Sequence, residues 1–319
     1  KVKKSVWFIM AAFLVAALVG VTNMSKTFAA EATIEKKAIL VVSFGTTVAD
    51  TRKLTIEAVE NKIRAAFPGY EVRRAFTSRI VIKRIAENEG LTIDTERQAL
   101  TKLKEEGYTE VIVQPLHMVL GDEYDKVNRV VEQYNQKKSF TKLSLGRPIL
   151  GFSGQEERPD DYLEAIKALQ TQLPKLGRRE AVVFMGHGGN HPANAAYAAL
   201  QMRLQDADVN NVFVSTVEGE GYPTLESVID KLKKNKIKTV TLMPLMLVAG
   251  DHALNDMAGD EHDSFKSQLI AAGFQVKTYI HGLGENAAIQ NIYVQHVQDA
   301  IDNKYKERGK DKPAIPVIE

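Results

Sequence analysis

Short apolar runs rich in β-branched residues recur along this chain, and each is followed by a longer stretch with helical spacing. No other feature constrains the fold so strongly. Strands joined by helical crossovers pair in parallel, and a parallel sheet must be covered on both faces. Lys37–Ser43 (KAILVVS) is the first such run. It ends at Phe44-Gly45-Thr46-Thr47 and leads into a helical pattern over residues 49–67. Further strands are expected at 71–76, 110–114 and 142–145, with helices over 80–88, 95–106, 122–136 and 160–173. After Pro174 and Gly177 the order begins again, with strands at 181–185, 211–216, 239–243 and 275–280 and helices at 192–204, 224–234, 265–272 and 285–304. The fold class is α/β: two similar Rossmann-like lobes with parallel sheets and an interlobe cleft, spanning residues 36–175 and 176–306.

The halves also match residue by residue. Gln114-Pro115-Leu116-His117-Met118-Val119-Leu120-Gly121-Asp122 aligns with Met243-Pro244-Leu245-Met246-Leu247-Val248-Ala249-Gly250-Asp251, which places Glu123 opposite His252. Ser43-Phe44-Gly45 falls opposite Gly186-His187-Gly188. Ligands in open parallel sheets bind outside the carboxyl ends of the strands, so chemistry is sought in these matched strand-end segments.

The first thirty residues stand apart. Lys1, Lys3 and Lys4 precede an apolar run from Val6 to about Val21, then small residues around Ala29, Ala30 and Ala32. This layout is expected of a cleaved secretory signal peptide over 1–30, giving an exported, periplasmic or extracytoplasmic protein without a permanent membrane span. A retained anchor is the alternative, since the run approaches the length of a span. Residues 307–319 read as a tail. The chain has no cysteine, which excludes disulfides, thiolate metal sites and a cysteine nucleophile. A formal net charge of +2, well mixed in sign, shows no nucleic-acid footprint. No dinucleotide fingerprint, phosphate loop, serine elbow or HExxH pattern is present.

The seven histidines carry the remaining signal. His187 sits between two glycines past one strand, and His252 follows the Val-Ala-Gly-Asp turn past another. Between them in sequence lies Thr216-Val217-Glu218-Gly219-Glu220-Gly221. Two imidazoles and a carboxylate suit Co²⁺, Ni²⁺, Fe²⁺ or Zn²⁺ and leave coordination positions open. His191 precedes Pro192, a favoured first helical residue, and reads as a helix start. His117 ends the matching strand of the first lobe and faces the same cleft. His262, His281 and His296 read as surface or structural residues. Arg73, Arg74 and Arg79 could bind anionic ligand groups at the rim.

Taken together, residues 39–47 (ILVVSFGTT), 115–124 (PLHMVLGDEY), 185–192 (MGHGGNHP), 217–223 (VEGEGYP), 244–252 (PLMLVAGDH) and 282–285 (GLGE) resemble the anaerobic, early-insertion cobaltochelatases of the CbiK type. These are class II chelatases, similar in fold to ferrochelatase. The resemblance runs from about Lys37 to Lys304. It implies a chelatase-like pair of lobes and insertion of Co²⁺ into the tetrapyrrole sirohydrochlorin, toward cobalamin. It implies that His187, Glu218 and His252 are at once the metal ligands and the catalytic residues. Phe44, His117 and Arg79 are expected to contact the macrocycle. The metal is a substrate, Fe²⁺ and Ni²⁺ suit the same ligands, and no organic cofactor is required; a homo-oligomer is compatible with this reading. The family usually reads VEGYP where this chain reads VEGEGYP, so either Glu218 or Glu220 is the aligned carboxylate, with Glu218 preferred because it directly follows the strand. The export signal is a second departure. It supports the alternative of an extracytoplasmic haem or metal carrier without turnover.

Overall fold

The computed structural model describes residues 35–155, 157–218 and 221–305. The expected signal segment (1–30), the tail (307–319) and Glu220 lie outside the described residues. The first half runs β1 (Lys37–Ser43), α1 (49–66), β2 (Glu71–Phe76), α2 (Arg79–Glu89), α3 (Glu96–Glu105), β3 (Glu110–Pro115), α4 (Asp122–Gln136), β4 (Lys142–Leu145) and α5 (Asp161–Gln170). In α1, Ala49–Arg52 and Ala58–Ala66 are joined through a π-helical turn at Lys53–Glu57. The second half runs β5 (Glu180–Gly188), α6 (Ala195–Asp206), β6 (Val212–Glu218), α7 (Leu225–Lys234), β7 (Thr239–Pro244), a π-helical turn (Ala253–Met257), α8 (Phe265–Ala271), β8 (Gln275–Thr278) and α9 (Ala287–Ile301).

Among the described residues the strands form two four-stranded sheets, all parallel, in the orders β2-β1-β3-β4 and β6-β5-β7-β8. The orders are identical under the repeat. Val42 pairs with Pro115 and Met185 with Pro244, so the two prolines end equivalent strands, as the alignment requires.

Each central strand is buried on both faces, and its side chains alternate between two cores. Ile39 and Val41 of β1, with Val182 and Phe184 of β5, enter one core shared by both sheets. Ala38, Leu40 and Val42 face a separate outer core under α3 and α4. Ala181, Val183 and Met185 do the same under α7 and α8. Each fully buried valine, leucine, isoleucine, methionine or phenylalanine here contributes about 1.5–3 kcal/mol by leaving water.

Packing crosses the lobe boundary expected at 175/176. Helix α9 comes last in sequence, yet Tyr293 lies in the shared core and its hydroxyl donates to the Leu116 carbonyl at 3.0 Å. Lys142 at the start of β4 donates to the Ile301 carbonyl at 2.6 Å. A buried ionic cluster locks this arrangement. Arg147 donates twice to Asp161 (2.8 and 3.0 Å) and once to Asp299 of α9 (2.8 Å), while His296 bonds the Arg147 carbonyl at 3.0 Å. The apolar stripe of α9 finds its complement on the first sheet, which pattern within either half cannot reveal. No helix among the described residues is long and apolar enough to cross a membrane.

Removing the guanidinium would strand two buried carboxylates. Arg147→Ala is expected to cost about 3–5 kcal/mol. Urea unfolding of the two proteins checks this, and a loss below 1 kcal/mol would show that the cluster does not hold α9.

Candidate metal centre

β5 is the central strand of its sheet, with β6 on one side and β7 on the other. In sequence β6 lies between the two histidine-bearing strands; in space those two, β5 and β7, are neighbours and β6 lies at the sheet edge. Because the strands are parallel, their carboxyl ends emerge together. Gly188 pairs with Glu218, the last residue of β6, one position from His187. His187 is thus in the final residues of β5, and the glycine loop expected there is strand. Two of its glycines are required. A Cβ on Gly186 would fall 2.4 Å from the Tyr197 ring, which packs against the strand beneath His187. Gly188 has φ +84°, and its repeat counterpart Gly45 has φ +92°, a conformation that side chains resist. Past Glu218 the chain returns onto β6: the Thr216 amide donates to the Pro223 carbonyl at 2.9 Å and Ser215 Oγ at 3.2 Å.

His252 reaches the same point from β7. The strand ends at Pro244, the Leu245 amide still donates to the Met185 carbonyl at 2.7 Å, and His252 leads into the π-helical turn. One ligand atom from each of His187, Glu218 and His252 lies within 4.8 Å of the others, a group that could hold a metal ion. His252 Nε2 is 4.0 Å from Glu218 Oε1, and the two imidazoles meet edge to face with centroids 4.8 Å apart. Each ring has its other nitrogen engaged. His187 Nδ1 is 3.1 Å from the Gly188 carbonyl, and His252 Nδ1 is 2.6 Å from Asp256 Oδ2. With the ring proton on Nδ1 in both, both Nε2 lone pairs are available to a cation.

The group opens into a cleft of about 700 Å³ lined by both halves of the chain. Phe44 lines it, 50% exposed, in the place of the first lobe that corresponds to His187. By the same register Ser78 corresponds to Glu218, and by the sequence match Glu123 corresponds to His252. The repeat therefore supplies the scaffold twice and the candidate ligand set once. His117 also lines the cleft, with both ring nitrogens enclosed and without a hydrogen-bond partner. His191 bonds the Ala193 amide through Nδ1 at 3.1 Å, which caps a helical turn as its sequence context suggests. His281 pairs with Glu285 at 2.7 Å, and His296 is buried in the Arg147 cluster.

The arginines behave differently from the expectation. Arg73 is held by Glu71 and Glu106, and Arg74 by Glu57 and Glu60. Arg79 lines a shallow depression with Ile82, Lys83, Thr95 and Gln98, away from the cleft. Arg84, five residues further along α2 and on another face of it, lines the cleft in its stead. Sequence reasoning passed over both Arg84 and Asp256. Asp256 follows His252 by four residues, a spacing that puts the two on one helical face, so that signal was present. Arg84 carried none until the orientation of α2 was known.

The profile of the family described as Cobalt chelatase (CbiK) matches residues 37–302. The chain is 43% identical over 272 residues to the sirohydrochlorin cobaltochelatase of Salmonella typhimurium, covering 85% of this chain and 99% of that protein. It is 37% identical over 268 residues to the sirohydrochlorin cobaltochelatase CbiKC of Nitratidesulfovibrio vulgaris, covering 83% of this chain and 91% of that one. Among solved structures, SirB from Bacillus subtilis with Fe³⁺ superimposes with a TM-score of 0.57 at 20% identity, over 84% of this chain and 96% of SirB. That likeness concerns the fold.

His117 makes the cleft sensitive to acid. Burial pushes its imidazole down from an ordinary 6.5 to about 4, with Glu123 acting in the opposite direction and Lys126 in the same one. The unfolded chain therefore takes up a proton that the folded chain refuses between those values, and stability is lost as pH falls through that window. The contribution is about 2 kcal/mol at pH 5. Urea unfolding at pH 7.5 and 5.0 is expected to show a smaller loss in His117→Gln than in the wild type by that amount; equal losses would refute it.

Proposed function

The chain belongs to the CbiK cobalt chelatase family, and from that premise we propose that it inserts Co²⁺ into sirohydrochlorin. The observation that carries the reading is the convergence of His187, Glu218 and His252 at one end of a cleft large enough for an organic ligand. The ion is a substrate and must be gripped only in passing. Two neutral imidazoles and one carboxylate replace part of its water shell and leave the remaining positions for the incoming ring nitrogens. Insertion moves one dication into the ring and two pyrrole N–H protons out, so charge balances. The two Nε2 atoms can take up those protons once the metal has left them, and Glu218 compensates the cation's charge while it is held. His252 is kept in the productive tautomer by Asp256.

Of the two candidate carboxylates, Glu218 and Glu220, Glu218 is taken because it is the last residue of β6, directly at the strand end. Ni²⁺ and Fe²⁺ suit the same donors and are proposed as alternative metals. Purified protein mixed with Co²⁺ and sirohydrochlorin should show the metallation absorbance change over many turnovers. His187→Ala and His252→Ala should each lower kcat/KM by roughly 100-fold, about 2.7 kcal/mol of transition-state stabilisation. Their folds should be retained, because neither ring is buried in a core. Glu218→Ala should lose activity and Glu220→Ala should keep it. Stoichiometric binding without turnover would replace the enzyme with a carrier, and full activity in the double histidine variant would remove the triad from the mechanism.

We also propose that the protein works outside the cytoplasm. The support is the order of basic, apolar and small residues over 1–30. N-terminal sequencing of natively expressed protein should begin near Ala30–Glu31, and an intact Lys1–Ala30 segment on a membrane-bound form would mean an anchor.

A further inference from the structure

The cleft is acidic on the protein's own account. Asp122, Glu123, Glu218 and Asp251 line it, and Arg84 is the one lysine or arginine among the described residues that do. Helix α2 presents that arginine deliberately placed between two kinds of surface. Ile80, Val81 and Arg84 share one helical face and line the cleft, whereas Arg79, Ile82 and Lys83 border the depression on the other side. Ile80 is 66% exposed, a large apolar side chain left beside a guanidinium at the cleft wall. Arg73 and Arg74 are occupied by glutamates; among the described residues no carboxylate forms an ion pair with Arg84.

We propose that Arg84, with the Ile80–Val81 face of α2, seats a peripheral carboxylate of the tetrapyrrole on the lobe opposite the metal ligands and so fixes the ring's rotation in the cleft. This rests on the chelatase reading, since it takes the substrate to be a flat ring with acidic arms. A ring entering this cleft meets the carboxylates of Asp122, Glu218 and Asp251, with Glu123 paired to Lys126, and its own acidic arms are repelled by the unpaired charge. One fixed cation then discriminates among otherwise similar orientations, favouring those that lay an arm against it. The planar guanidinium fork matches a carboxylate with two parallel hydrogen bonds, and the neighbouring isoleucine covers the apolar edge of the ring. The metal is held on one lobe and the ring is oriented from the other, so the cleft must bridge both for insertion.

The test compares full-length wild type, Arg84→Ala, Arg84→Lys and Arg84→Glu, with Lys83→Ala as a control from the opposite face of α2. Arg84 is exposed, so truncation opens no cavity. Two measurements are made: quenching of sirohydrochlorin fluorescence on binding, and KM for sirohydrochlorin and for Co²⁺ separately. Kd and KM for sirohydrochlorin should rise roughly tenfold in Arg84→Ala, as expected for a lost charge-assisted hydrogen bond. They should rise further in Arg84→Glu, recover in part in Arg84→Lys, and stay at the wild-type value in Lys83→Ala. KM for Co²⁺ should not follow, and added salt should weaken binding less in Arg84→Ala than in the wild type. Wild-type Kd and KM in both Arg84→Ala and Arg84→Glu would overturn the proposal. If the wild type binds the ring but turns nothing over, the chelatase reading fails, and the binding comparison still decides Arg84.

Discussion

The cluster of His187, Glu218 and His252 comes together because β5 is hydrogen bonded on both edges. Its pairing with β6 sets Gly188 opposite Glu218, and its pairing with β7 sets Met185 opposite Pro244, from which the chain runs on to His252. Three residues drawn from a span of 66 positions are thereby brought to one point, His187 and Glu218 by the backbone ladder itself and His252 by the segment that follows β7. Parallel pairing makes this possible, since all three strands deliver their carboxyl ends to the same edge. The glycines at 186 and 188 complete the arrangement by letting β5 continue as strand past a tyrosine ring and into a left-handed turn.

The same ladder is built a second time in the first lobe, with different residues at its ends. Phe44, Ser78 and Glu123 stand where His187, Glu218 and His252 stand in the other. One wall of the cleft therefore carries two Nε2 lone pairs, and the other carries an exposed aromatic ring, an enclosed imidazole and an arginine. This division suits a reaction between an ion and a flat organic ring, because each reactant meets the surface whose chemistry it needs. The walls are kept at a fixed separation by a core common to both sheets and by α9, whose Tyr293 and Asp299 tie it to the lobe that precedes it in sequence.

Cleft electrostatics follow from the same geometry. Acidic residues gather at the strand ends in part because Asp122, Glu123 and Asp125 occupy the first turn of α4, where negative charge is favoured by the exposed amides. The helix start that stabilises the fold thus makes the cleft welcoming to a cation and unwelcoming to an anionic ring, and Arg84 is the local exception.

The sequence by itself determined the alternation of strand and helix and the internal repeat, and it singled out His187, His252 and a carboxylate after β6 as candidate ligands. β1 is legible because Ala38–Val42 form an unbroken apolar, buried run, and the helix bounds of α4 because acidic residues open it and polar ones close it. These signals are local: they depend on which residues lie within a few positions of one another. The true extent of β5 was not legible, since glycine reads as turn until Gly186 and Gly188 are seen paired with Thr216 and Glu218. Nor were the placement of β6 at the sheet edge, the crossing of α9 to the first lobe, and the exchange of Arg79 for Arg84 at the cleft. Each of these depends on which strands pair and how a helix is rotated on its sheet. Pairing order and rotation are settled by contacts between residues far apart in the chain, and only the tertiary structure decides them.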